Sequence, residues 1–163
     1  RHEYISAPGF YPLWAWDPKD PKTQILSRED ARESSRHLLV ALEQAGGISA
    51  SSENSLKANG DPLHARQWDY PNGWAPHQIL AWQGLENYGF NEDKERLIRK
   101  WLSMISENAS DYNGTIPEKF DVVKRSHQVF AEYGNVGTNF SYITREGFGW
   151  MNASFQVGLK KLK

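Results

Sequence analysis

The sequence predicts a mainly helical chain with long loops between its helices. Three observations carry that expectation. Apolar residues recur mostly at three- and four-residue steps over about 92–109. Two further stretches, about 28–45 and 75–88, combine apolar positions with the capping and breaking residues that bound helices. Strand signals are confined to two short runs, Phe120–Val123 and Ser141–Thr144.

The first 21 residues hold half of the eight Pro, at Pro8, Pro12, Pro18 and Pro21. They read as an irregular, extended run that winds over a surface. The helix at 28–45 opens on Ser27 with Asp30 three residues on, a capping box with Asp in place of Glu or Gln. Glu29 and Asp30 suit the helix dipole. Ala31, Leu38, Leu42 and Ala45 give it a partial apolar stripe, with Leu39 beside it, and Gly46-Gly47 is expected to end it. Residues 46–67 are rich in Gly, Ser and Asn and read as a long loop.

The second helix, about 75–88, has Pro76 in its first turn and Gly89 at its end. Its expected apolar surface is Ile79, Leu80, Trp82, Leu85 and Tyr88. The third, about 92–109, has Asn91 as N-cap and buries Leu97, Ile98, Trp101, Leu102, Met104 and Ile105. The short link between these two predicts an antiparallel helical hairpin. Residues 110–147 read as mostly loop, and a fourth helix begins near Phe148 and runs to the end.

Composition narrows the function classes. The 163 residues carry a net charge of -1, so there is no general pull toward nucleic acid or an anionic membrane. Cys is absent, which excludes disulfides, Cys-based zinc sites and a thiol nucleophile. No apolar run is long enough to span a bilayer. The five His are scattered without metal-ligand spacing. No G-x-S-x-G, Walker A or G-x-G-x-x-G motif occurs. Four N-x-S/T sequons occur, at Asn108, Asn113, Asn139 and Asn152. They are not read as a sign of secretion, because Asn152 is expected in a buried aromatic turn.

Leu, Ile, Val and Phe make up only about a fifth of the chain, against seven Trp and seven Tyr. The Trp residues suit either a core or a sugar site, whose pyranose C–H faces match flat aromatic rings. The chain starts Arg1-His2-Glu3 and stops within a helical pattern at 159–163. Both ends therefore read as interior cuts or processed ends.

Three loop segments concentrate chemistry. The first is Gln67-Trp68-Asp69-Tyr70-Pro71-Asn72-Gly73-Trp74-Ala75-Pro76, with two Trp, a carboxylate and two amides at a helix entrance. Its plain reading is that Asp69 or Asn72 caps the helix while the Trp residues pack below. The second is Ile116-Pro117-Glu118-Lys119-Phe120-Asp121, where Pro117 stiffens the backbone before Glu118. If extended, it points Glu118 and Phe120 one way and Lys119 the other. Rigid placement suits a catalytic carboxylate; the plain reading is a solvated Glu-Lys pair. The third combines Glu132-Tyr133-Gly134-Asn135 with Glu146-Gly147-Phe148-Gly149-Trp150-Met151-Asn152. There the glycines either admit a ligand to the backbone or shape a turn.

The first of these segments resembles the trehalase signature of glycoside hydrolase family 37. Ala45-Gly46-Gly47-Ile48 upstream is similar to the run that precedes that signature. The downstream order of Glu118-Lys119-Phe120-Asp121-Val122, Glu132-Tyr133 and Glu146-Gly147-Phe148-Gly149-Trp150 fits as well. Ala131-Glu132-Tyr133-Gly134-Asn135 is most similar to the fungal-type neutral, cytosolic branch. Two departures stand out. Arg125–Phe130 replaces a glycine-rich run, and Phe120 stands where the family usually has Tyr, which removes a hydroxyl.

The resemblance implies an (α/α)6 toroid that hydrolyses α,α-trehalose to two glucose molecules with inversion. A complete toroid needs twelve helices, so residues 1–163, with about four, would be the C-terminal third of the catalytic domain, all-α with long loops and room for a short β-hairpin. The resemblance makes Glu118 the general base, and puts Trp68, Asp69, Glu132 and Phe148 at the sugar pocket. It places the acid, an Asp, and the sugar-clamping Arg residues on a segment outside this chain. The isolated 163 residues would then be inactive. The expected partners are the disaccharide and the remainder of the catalytic domain, with no nucleic acid and no membrane. No cofactor or metal is implied, and the implied location is cytoplasmic. Two alternatives stand beside this reading: a related (α/α)6 glycosidase acting on another glucoside, and a non-catalytic carbohydrate-binding module.

Overall fold

The computed structural model describes residues 4–58, 66–111, 114–129, 131–132, 139–140 and 147–163. Six α-helices lie among them: α1 Tyr11–Trp14, α2 Arg28–Leu42, α3 Glu53–Ala58, α4 Ala75–Asn87, α5 Asn91–Asp111 and α6 Gly149–Lys161. The strands are two-residue pieces: β1 Glu43–Gln44, β2 Gly47–Ile48, β3 Asn72–Gly73, β4 Phe120–Asp121, β5 Ala131–Glu132 and β6 Asn139–Phe140. They pair antiparallel as β1-β2, β3-β4 and β5-β6. The chain is therefore mainly helical, as the sequence predicts, with small hairpins at its loops. The expected strand over Ser141–Thr144 lies outside the described residues.

α4 sits at the centre and packs against α1, α5 and α6. It starts where Pro76 needs no backbone donor. Its buried face is Ala75, His77, Gln78, Ala81, Trp82, Gly84 and Leu85, whereas Ile79 and Leu80 are only half-buried. The buried polar positions were not legible as core. Gln78 explains itself through geometry. Its amide accepts from Ile48 N at 3.0 Å and donates to Ile48 O at 2.7 Å, which satisfies the backbone of β2 inside the core.

The α4–α5 hairpin forms as expected, joined through Tyr88–Phe90. α5 buries Leu97, Ile98, Trp101, Leu102, Met104 and Ile105 along one face. Ion pairs fasten its outer side. Glu43 receives Arg96 at 2.8 and 2.9 Å and Lys100 at 2.6 Å. Glu86 on α4 receives Lys94 at 3.2 Å and also Lys161 from α6.

Four local expectations need correction. The Pro-rich start is irregular only in part, over residues 4–6 and 15–20. It forms a 3-10 turn at Ala7–Phe10 and then α1, because Pro8 and Pro12 both fall in first turns. α2 has the predicted Ser27 cap, with Ser27 Oγ accepting from Asp30 N at 3.1 Å and donating to Asp30 Oδ2 at 2.6 Å. It ends at Leu42, however, because Glu43 turns extended to pair with Ile48. Gly46-Gly47 thus serves a hairpin rather than a helix cap, with Gly47 at φ 129, a conformation that side-chain-bearing residues avoid. The long loop at 46–67 contains β2 and α3, whose start is held by Ser52 Oγ accepting from Ser55 N at 3.1 Å. Finally, Asn152 lies exposed on α6 and not in a buried turn.

Candidate active site

The site is assembled on the β3–β4 ladder. Asn72 pairs with Asp121 and Gly73 with Phe120. This brings the segment that ends in Trp74 beside the one that begins at Glu118, although some 45 residues separate them. Val122 N donates to Pro71 O at 3.0 Å and extends the junction. Gly73 is required for the close approach. A Cβ there would lie 2.2 Å from Val122 Cγ1 and 3.1 Å from Ile48 O. The Asp121 carboxylate accepts from Val123 N at 3.0 Å and Lys124 N at 2.9 Å, which fixes the turn that follows β4.

Glu118 is 8% exposed and Lys119 is 1% exposed. Lys119 Nζ donates to Glu118 Oε2 at 2.6 Å. This overturns two expectations at once. The pair is not solvated, and Lys119 does not point away from Glu118. The chain bends at Glu118 instead of running extended, and the two consecutive side chains meet at their charged ends. Burial pushes the Lys119 ammonium below its ordinary pKa, and the Glu118 carboxylate opposes part of that shift. Phe120 is wholly buried, edge-on to Trp101 at 5.9 Å.

An aromatic cluster adjoins the pair. Lys119 Nζ lies 5.0 Å from the Trp74 ring centroid. Trp74 is buried, and its indole N–H donates to Gln67 O at 2.7 Å. Trp68 stacks on it, with centroids 3.9 Å apart and planes 13° apart, and remains 41% exposed. Trp150 meets Trp74 edge-on at 6.1 Å, and Phe148 stacks on Trp150 at 6.4 Å. His77 sits edge-on to Trp68 at 5.3 Å, and burial pushes its pKa down to about 4. It is therefore neutral at pH 7.

Three of the predicted site residues, Glu118, Trp68 and Phe148, thus belong to one connected cluster through Lys119, Trp74 and Trp150. Asp69 lies beside Trp68. Its carboxylate accepts from Tyr4 Oη at 2.9 Å and from Arg66 N at 3.0 Å. It closes its own turn and does not cap α4, whose N-cap residue is Trp74. Glu132 is placed by its backbone in β5, opposite Asn139. Tyr133-Gly134-Asn135 and Glu146 lie outside the described residues. Sequence reasoning did not assign Trp74, Trp150 or Lys119 to the site. The signal for both Trp was their place in the motifs already singled out; for Lys119 there was none. Among the described residues, no group of three or more His, Asp or Glu could hold a metal ion.

A buried carboxylate, a buried cation and a half-exposed indole platform together suit a neutral polyol with apolar ring faces. The comparison with known proteins carries this further. A family model described as trehalase matches residues 1–163. The chain belongs to the trehalase family. It is 44% identical over 162 residues to a cytosolic neutral trehalase of Saccharomyces cerevisiae, covering 98% of this chain and 20% of that protein. It is 45% identical over 161 residues to a cytosolic neutral trehalase of Neurospora crassa, covering 96% of this chain and 20% of that protein. The solved neutral trehalase from Saccharomyces cerevisiae superposes with a TM-score of 0.74 at 38% identity. That match covers 99% of this chain and 24% of the trehalase. The chain therefore spans about a fifth of the length of the curated trehalases it matches. Its helices correspond to a portion of the trehalase helical toroid.

Proposed function

We propose that residues 1–163 are the C-terminal third of an (α/α)6 catalytic domain, and that the whole protein hydrolyses α,α-trehalose with inversion. The observation that carries this reading is the placement of Glu118. It is buried, held by Lys119 at 2.6 Å, and adjoins a Trp cluster whose outer ring is half-exposed. The names of the relatives support the substrate and a cytoplasmic location.

In this reading Glu118 is ionised and accepts a proton from water as the water oxygen attacks the anomeric carbon. The C–O bond to the leaving glucose breaks on the opposite face. An Asp from a segment outside this chain donates the proton that the leaving oxygen needs. Trp68 offers an apolar face to a pyranose ring. Asp69, Glu132 and Phe148 complete the wall on this side of the pocket. The chemistry needs no cofactor. It needs both carboxyls, so the isolated 163 residues are inactive.

A structure of the full-length protein tests the proposal. It should place an Asp carboxyl about 6.5–9.5 Å from Glu118, with room for one water between base and sugar. A solvent-filled gap with no second carboxyl within that range would contradict it.

A further inference from the structure

The proposed chemistry accounts for Glu118 but not for the residue next to it. Lys119 is a charged side chain with no exposed surface, and a buried ammonium is strongly unfavourable unless it is paired. An apolar side chain of similar length would fill the same volume without that desolvation. The ammonium supplies something else, a short charge-assisted hydrogen bond to one carboxylate oxygen of Glu118.

The backbone is built to make that bond. Neighbouring side chains of an extended strand point to opposite faces. Here Pro117 stiffens the approach and β4 anchors Phe120 and Asp121 to β3. Between these two fixed points the backbone bends at Glu118, and the Lys119 ammonium reaches the Glu118 carboxylate. The Trp74 ring, 5.0 Å from Nζ, lies against the ammonium and is itself held by its hydrogen bond to Gln67 O. Glu has three side-chain torsions, and a base whose oxygen is misplaced by about 1 Å loses about 10²-fold in rate.

We propose that Lys119 is a positioning residue, which orients the Glu118 carboxylate toward the attacking water and acts on the reaction through it. The inference rests on the reading of Glu118 as the base.

A double-mutant cycle in the full-length protein tests it, with kcat and KM for trehalose measured for Glu118→Gln, Lys119→Met and the pair. Lys119→Met alone should lower kcat by about 10- to 100-fold, with KM within a few-fold of the parent. In the Glu118→Gln background it should cost nothing further. Lys119→Gln keeps a hydrogen-bond donor and should recover part of the lost kcat. It also carries the cycle if Lys119→Met does not fold, as judged by its thermal unfolding. Equal losses in both backgrounds, or a loss confined to KM, would overturn the positioning role and leave Glu118 as base intact. An unchanged kcat in Glu118→Gln would overturn both.

Discussion

Glu118→Gln in the full-length protein should lower kcat for trehalose by about 10²–10⁴-fold, the usual contribution of a positioned acid or base. The substitution keeps the shape of the side chain. Its amide oxygen still accepts from Lys119 Nζ, so the 2.6 Å contact and the neighbouring Trp cluster need not rearrange. What it removes is the ability to take a proton from water. KM should therefore change little, because ground-state contacts with the sugar persist. Steady-state kinetics on purified variant and parent decide the matter. A variant within a factor of two of the parent would remove Glu118 from the reaction.

The second large effect is on stability. Trp101→Ala should cost about 3–5 kcal/mol, the range for emptying a buried aromatic site. Trp101 is wholly buried, and its indole N–H donates to Ser154 Oγ at 2.9 Å, which ties α5 to α6. Its ring meets Phe120 on β4. It also lies so close to the backbone of Gly47 and Gly73 that added Cβ atoms would sit 3.3 and 3.4 Å from its edge. One side chain thus supports two helices and the ladder on which Glu118 is mounted. Urea unfolding of the full-length protein should show a lowered midpoint. A cost below about 1 kcal/mol for Trp101→Ala would show that the site does not depend on this contact.

The helices were legible because their signals are local. Ser27 and Asp30 are three residues apart, and the apolar face of α5 repeats within a few turns. The errors share a physical cause. Pro8 and Pro12 allow both an extended run and a first helical turn, and only the packing of Phe10 and Leu13 into the core selects the turn. Gly46-Gly47 fits a helix end or a hairpin, and the side-chain amide of Gln78, some 30 residues on, bonds the Ile48 backbone and decides for the hairpin. The candidate site divides in the same way. Glu118 and Trp68 stand in recognisable motifs, but Lys119 was assigned to the wrong side because alternation assumes an extended chain. Its direction follows from a bend between Pro117 and the β3–β4 ladder, a tertiary constraint without local signature. Asp69 was legible as part of the motif and its bond from Arg66 N is local, yet the bond from Tyr4 depends on a segment 65 residues away.

The measurement that bears most directly on the central claim is the anomeric form of the first products. Full-length protein acting on α,α-trehalose in ¹⁸O-labelled water, followed by NMR within the first minutes, reports it. Inversion by a water that Glu118 activates yields equal amounts of α- and β-glucose, with the label only in the β-anomer. Two equivalents of α-glucose, with the label in the α-anomer, would mean retention through a covalent intermediate and would contradict the account.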